Sequence, residues 1–531
     1  MRSQMRSAKL RMIVWLMACM AVALRQDSVA ANPVTVRQPG VAGGFYPADP
    51  TALVAMIDDM LAHASPPLIN DPILAVVAPH AGYQYSGPVA AYTYAALKGR
   101  QFARVVVIAP SHYEAFDFTS VFDGDAYATP LGTLQVDKPF ASQLVKMSPT
   151  IRLSSQGHIS TSKGAEHALE VELPWLQRVL GDFRLVPVIM GDQSYETSRA
   201  LGVALAKLIH GNDTLIVASS DLSHYHPYDK AVRIDHKTLS ALQAWDYFSM
   251  SQNFEMRVWE ACGGAPIVAA MIAAERMGAN QAVLLKYANS GDITGDHSRV
   301  VGYSAVALVK SQSRNAGQQP FSLGAREKTE LLALARKSVE QAVRTKKPYE
   351  PPPSANDALN QERGAFVTLK ESGQLRGCIG YISAAKPLYV TVRDTATLAA
   401  FRDTRFQPVS ASELSQLEYE ISVLSPLRRV TDVREIKVGQ HGLLMKNGGY
   451  QGVLLPQVPV EAGWDRQTFL DETCAKAGMR AGCWKDEDTD IFMFTAVVFG
   501  ENRPQAVMPE PPFSPGLRER PGAPVPGSPP Q

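Results

Sequence analysis

Four short runs of small and β-branched apolar residues, each cut off by a polar loop, constrain this chain more than any other feature. Residues 73–78 (ILAVVA) stop at Pro79-His80, and residues 104–109 stop at Pro110-Ser111-His112. Residues 184–190 stop at Gly191-Asp192, and residues 214–218 at Ser219-Ser220-Asp221-Leu222-Ser223-His224. A continuous apolar run of this length, bounded by Pro, Gly or Ser, reads as a strand buried on both faces. Segments with helical apolar rhythm lie near or between these runs, at 51–62, 88–97, 165–180 and 197–209. Strands alternating with helices predict an α/β fold, a mainly parallel sheet flanked by helices. Parallel strands send their C-terminal loops to one edge, where open α/β sheets hold their ligands. His80, His112, Asp221 and His224 are therefore expected to converge.

A single histidine behind a strand ordinarily caps a loop and touches water. Several imidazoles and a carboxylate at equivalent strand ends are harder to ascribe to packing, because buried polar groups need partners. Such a set suits a divalent transition metal or a general acid/base site, with Asp221 and His224 able to move protons. Tyr83 and Tyr85, in the loop after His80, are expected to line the entrance. Cys262, in the stretch WEACGGAP at 259–266, precedes an apolar helix at 267–277. A helix start favours thiolate; the alternative is a small buried hydrophobe in a glycine-rich turn. Glu166, Glu170 and Glu172 read as a solvated acidic face, with His167 beside them as a residue lining the cleft from outside the first set of ligands. His226, His236 and His297 are expected at the surface or its margin.

At 531 residues the chain exceeds one ordinary core. The reading is a first domain at 34–310, a polar Gly/Gln/Ser-rich linker at 311–324, a second domain at 325–500, and a proline-rich disordered tail at 501–531. The second domain combines helices at 325–345, 388–401 and 465–477 with short β segments at 364–370, 375–382, 417–424, 442–455 and 491–499. Asn447-Gly448 marks a hairpin. This is a smaller α+β unit. Its sharpest motif is Leu375-Arg376-Gly377-Cys378-Ile379-Gly380, where an arginine beside a cysteine can favour thiolate; the alternative is a structural cysteine and a packing arginine. Cys474 and Cys483 permit a disulfide without implying one. The net charge of +1 gives no pull toward nucleic acid. At the N-terminus, Arg2, Arg6, Lys9 and Arg11 precede an apolar run at 12–24 and then Ser28-Val29-Ala30-Ala31. These features predict a signal peptide over 1–31, a periplasmic or exported protein, and no membrane span in the mature chain; an unused N-terminal extension would leave the protein cytoplasmic.

On Val36-Arg37 through Tyr46-Pro47, Ala78-Pro79-His80-Ala81-Gly82-Tyr83, Pro110-Ser111-His112, Glu166-His167, Ser219-Ser220-Asp221 with His224, and Cys262-Gly263 with Pro266, the first domain resembles the Memo family. The second, on its Leu375–Gly380 motif, resembles the AMMECR family. The fused pair is similar to two members of the AmmeMemoRadiSam system, whose third member is a radical-SAM protein. The resemblance implies a fold like that of class III extradiol dioxygenases. It also implies a metal site of two histidines and a cysteine, which here are His80, His112 and Cys262, holding iron(II) or copper, with zinc also compatible with a thiolate ligand. It suggests a redox enzyme or dioxygenase relative acting on a small-molecule or peptide ligand, and a radical-SAM partner. The alternative is a non-catalytic metal- or peptide-binding scaffold. An exported protein would not meet a radical-SAM partner, whose cluster needs a reducing compartment.

Overall fold

The computed structural model describes residues 34–312 and 321–501. Segment 1–31, expected as a signal peptide, the middle of the expected linker and all but the first residue of the 501–531 tail lie outside the described residues. Among those described, no helix is long and apolar enough to cross a membrane.

The first domain is built on a nine-stranded sheet. Its centre is four parallel strands, side by side in the order Ile73–Ala78, Thr214–Ser219, Arg104–Pro110, Arg184–Met190. The register pairs Ala78 with Ser219, Ile108 with Ala218 and Pro110 with Met190, so the four strand ends lie together at one edge. Antiparallel strands flank this centre: Val300–Val309 and then Gln281–Asn289 on one side, Thr119–Val121 on the other. Alternation of side chains along a strand sends successive residues to opposite faces. Val106 and Ile108 accordingly join one apolar cluster, and Val105, Val107 and Ala109 the other. Helices Tyr195–Leu208 and Gly264–Arg276 cover the first face; Pro50–His63, Tyr83–Ala95 and Glu172–Leu180 cover the second.

Three boundaries differ from the sequence reading. The helix expected at 88–97 begins at Tyr83, absorbing Pro88. The helix expected across 165–180 is confined to Glu172–Leu180. Upstream, Glu166 Oε1 accepts from the backbone N–H groups of His167 and Ala168, at 3.0 Å each; such local side-chain acceptors compete with helix bonding. The strand expected at 491–499 is two, Asp490–Phe494 and Ala496–Gly500, which enter different sheets.

The second domain has two four-stranded antiparallel sheets. One, carrying Ala365–Glu371 and Gln374–Tyr381, packs against helices Ala325–Thr345 and Leu388–Phe401. The other carries the hairpin Gly442–Asn447 and Tyr450–Leu454 and packs on helix Arg466–Lys476. Cys474 and Cys483 form a disulfide, their Cα atoms 5.9 Å apart.

The two domains share core. Phe492, Phe494 and Leu444 fall in the same apolar cluster as Tyr247, Phe248 and the 264–276 helix. Asp490, buried at this seam, accepts from Arg199 Nε (2.5 Å), Arg276 Nη2 (2.8 Å) and the Tyr195 hydroxyl (3.1 Å). Arg429 of the second domain answers Glu275 at 2.6 Å.

Candidate metal centre

His80 follows the strand Ile73–Ala78 by two residues and is fully buried. Its backbone N–H donates to Asp221 Oδ1 at 2.8 Å. Its Nδ1 meets Ser219 Oγ at 2.8 Å, and its Nε2 lies 3.0 Å from Cys262 Sγ. Ser219 Oγ also bridges the carbonyl of Ala168 (2.6 Å) and Glu172 Oε1 (2.8 Å). With the hydroxyl hydrogen used there, Ser219 accepts from His80 Nδ1–H, leaving Nε2 as a lone pair aimed at the thiol. Burial and the neighbouring imidazoles of His112, His167 and His224 hold His80 neutral, well below the usual histidine range.

His112 follows the strand Arg104–Pro110. Glu166 grips it twice: Oε1 accepts from Nδ1 at 2.9 Å and Oε2 from the backbone N–H at 2.6 Å. A carboxylate on Nδ1 fixes the tautomer, so Nε2 is again the free lone pair. The His80 and His112 rings meet edge-on, with centroids 5.2 Å apart.

Cys262 comes from the helix start. Its N–H donates to the carbonyl of Asp221 and its Sγ accepts from the N–H of Asp221, both at 3.3 Å. This crossing requires glycine next door: a Cβ on Gly263 would sit 2.2 Å from the Ser219 carbonyl oxygen. The helix dipole predicts a lowered thiol pKa, and the structure reverses that expectation. Burial, followed by the charge of Asp221, pushes the thiol up.

One donor atom each from His80, His112 and Cys262 lies within 4.8 Å of the others. Ligands at about 2.0–2.3 Å from a shared ion stand roughly 3–4 Å apart, so a small collapse around an ion suffices. Two lone-pair imidazoles and a soft thiol fit a transition metal. A second grouping, His112, Glu166 and His167, also meets this criterion.

The other expected residues fall into place unequally. Asp221 is buried against His80, and burial raises its carboxyl to about 7. His224 donates from Nδ1 to the Leu222 carbonyl (2.9 Å), which leaves Nε2 an acceptor, and burial lowers its pKa. His226 pairs with Glu260 at 2.8 Å. His167 stacks on His112 (4.7 Å) and lies tilted against Phe45 (4.5 Å), and burial followed by the charge of His112 lowers it to about 4. Tyr85 is 40% exposed, whereas Tyr83 is core: 2% exposed, packed on Trp175, its hydroxyl donating to the Val171 carbonyl. Tyr83 opens a helix, which turns it inward instead of leaving it at an entrance.

The glutamates overturn the solvated-face reading, for Glu166, Glu170 and Glu172 are all buried. Glu170 pairs with buried Arg37 and accepts from Gly40 N, Val41 N and the Tyr46 hydroxyl, tying down the loop that carries Phe45. Glu172 is pushed up to about 8 by burial and bridges Tyr94 to Ser219, behind His80. Neither Glu172 nor Tyr94 reads as functional from the sequence, and Ser219 enters there only as part of the motif at its strand end; the partners are 47 and 78 residues apart.

The family model described as Memo-like protein matches residues 37–307. A MEMO1 family protein of Methanopyrus kandleri is 40% identical over 283 residues, covering 51% of this chain and 98% of the relative. The chain belongs to the Memo family. A further MEMO1 family protein, of Methanothermobacter thermautotrophicus, is 38% identical and covers 51% of this chain and 99% of its own length. The Memo part thus spans the whole length of these relatives, and His80, His112 and Cys262 all lie inside it. The AMMECR1 family model matches residues 332–499. A solved structure of an uncharacterized protein from Pyrococcus horikoshii is 41% identical, covering 35% of this chain and 96% of that one, with a TM-score of 0.34.

In the AMMECR1 region, Arg376 and Cys378 lie on the edge strand Gln374–Tyr381. Arg376 is committed to Glu413 (2.6 Å) and the Gln407 carbonyl (2.9 Å). The guanidinium whose charge reaches the Cys378 thiol is that of Arg405, clamped on Asp403. Burial nonetheless raises the thiol. Gly377 is required by close approach, since a Cβ there would lie 2.3 Å from the Ala399 carbonyl oxygen of the covering helix.

Proposed function

We propose that the Memo cleft binds one transition-metal ion, iron(II) or copper, on His80, His112 and Cys262, and acts as an oxidoreductase on a small-molecule or peptide ligand. The observation that carries this reading is the convergence of three donors from three separate chain segments, two of them imidazoles whose tautomer is set by Ser219 and Glu166. When bound, the ion supplies a Lewis-acidic, redox-active centre. The chain's own residues supply the rest. Asp221, with its carboxyl near neutrality, holds or releases a proton beside His80. His224 Nε2, beyond the neighbouring strand Thr214–Ser219, accepts one.

A metal-free reaction with Cys262 as nucleophile is disfavoured, because burial and Asp221 hold the thiol protonated. Export is part of the proposal, supported by the leader composition and by the Cys474–Cys483 disulfide, since such bonds persist in oxidising compartments. An exported protein would work apart from a radical-SAM partner; a cytoplasmic one would keep that partner available.

Cobalt(II) loading of the untagged chain tests the ligand set. The expected result is a thiolate-to-cobalt charge-transfer band that vanishes in Cys262→Ser. Absence of the band in the wild-type chain overturns the proposal. Stoichiometric metal with no redox activity toward dioxygen would leave the binding-protein alternative.

A further inference from the structure

A cavity of about 690 Å³ lies where the two domains meet, away from the parallel strand ends. Small-molecule sites typically enclose about 300–1,000 Å³ and favour domain interfaces. Its walls are Ala241, Ala244 and Trp259 from the first domain, and Val423, Pro426 and Val497 from the second, with Phe321 at the end of the interdomain segment.

Two cations and two acids line it, but they are not all paired with one another. Lys237 is paired with Glu362 at 2.6 Å. Asp246 caps a helix by accepting from Ser249 N at 3.1 Å, and burial lifts its carboxyl to about 6. Arg363 has no acidic partner among the described residues. Its guanidinium lies over the Phe321 ring, 4.3 Å from the centroid, and its Nη2 reaches only the neutral amide oxygen of Gln361 at 3.3 Å. Its Nε is buried with no hydrogen-bond partner, and so is the indole N–H of Trp259, a residue only 5% exposed. A half-buried guanidinium without a counter-ion is costly, and its planar donor fork matches a carboxylate. Lys237 and Arg363 match Glu362 and Asp246 in number, so it is the unpaired Arg363 alone that invites an anion, and a single carboxylate disturbs this even balance less than a dianionic phosphate.

We propose that this interdomain cavity binds a small amphipathic carboxylate, its anionic end on Arg363 and its apolar body against Trp259, Phe321 and Val497. Such a ligand would touch both domains at once. It would also reach the stretch that leads to Cys262, since Trp259 is three residues upstream.

Indole-3-acetate and octanoate serve as probes on the full chain, with indole-3-acetamide as the uncharged control, read by calorimetry. The expected result is saturable binding of one acid probe per chain. The amide should bind at least tenfold more weakly, and Arg363→Met should lose at least tenfold while its thermal midpoint shows a folded chain. Ala244→Phe, which fills the cavity from its first-domain wall, should also abolish binding and carries the test should Arg363→Met fail to fold. No saturable binding by either acid, equal binding of acid and amide, or unaltered binding in Ala244→Phe overturns the proposal.

Discussion

Replacing Glu166 by Gln tests whether the metal site is preorganised by its surroundings. The carboxylate is 4% exposed and serves four donors: Oε1 takes His112 Nδ1 and the N–H groups of His167 and Ala168, and Oε2 takes the N–H of His112. Burial alone would raise its pKa; the bond to His112 and the backbone donors outweigh it and hold the carboxyl below its ordinary value. Glutamine keeps one acceptor and presents an NH₂ group in place of the other. The less costly orientation places NH₂ against the His112 N–H, leaving one buried donor unanswered at about 1–3 kcal/mol. The remaining bond to Nδ1 loses its charge assistance, roughly half its strength. Loss of such an outer partner typically weakens metal binding about 10–100-fold, or roughly 1.4–2.7 kcal/mol. Zinc(II) titration against a chromophoric chelator at fixed pH gives the affinity, and urea unfolding of the metal-free chain gives the stability cost. Wild-type affinity in Glu166→Gln would refute the reasoning, because His112 would then be oriented by something else.

Three further outcomes follow from the same geometry. Because the Cys262 thiol is raised and His80 is already neutral, metal uptake should release about one proton per ion, and affinity should rise roughly tenfold per pH unit from pH 7 to 8; calorimetry in buffers of differing ionisation heat checks this, and zero release contradicts it. Asp490→Ala strands Arg199 and Arg276 at the domain seam and should cost about 3 kcal/mol, the low end for a buried pair because the arginines are 13% and 21% exposed; an unchanged urea midpoint would show that the seam does not depend on it. Asp403 and Glu413 are lowered to about 2, chiefly by Arg405 and Arg376 respectively. Their stabilisation is therefore full above the unfolded carboxyl range near pH 4 and is lost as pH falls through about 2. The stability of Asp403→Asn relative to wild type should accordingly improve on acidification from pH 5 to 2.5, and a constant difference would contradict the assignment.

The strand ends were legible because a parallel strand buried on both faces has no choice but an apolar run, and Pro79, Pro110, Gly191 and Ser219–Ser220 mark where each run stops. The position of Cys262 was legible for a similar reason, as a break before an apolar helix. Its protonation was not, because the dipole is a local property whereas burial and Asp221 arrive from 41 residues away. The glutamates failed for the same cause. Three acids at spacings of four and two read as a wet face, and only Arg37, 133 residues from Glu170, reveals that one of them is buried. Tyr83 was misplaced because the helix begins before Pro88, a shift of five residues that turns a ring from the cleft into the core. The domain seam was invisible, since Asp490 followed by Ile491 and Phe492 looks like any strand start.

Metal content of the untagged chain, purified without chelators, tests the central claim most directly. One iron or copper ion per chain is predicted, falling to background in both His80→Ala and Cys262→Ala while each variant stays folded. Wild-type chain that takes up no metal when offered it, or variants that keep a full equivalent, would contradict the account.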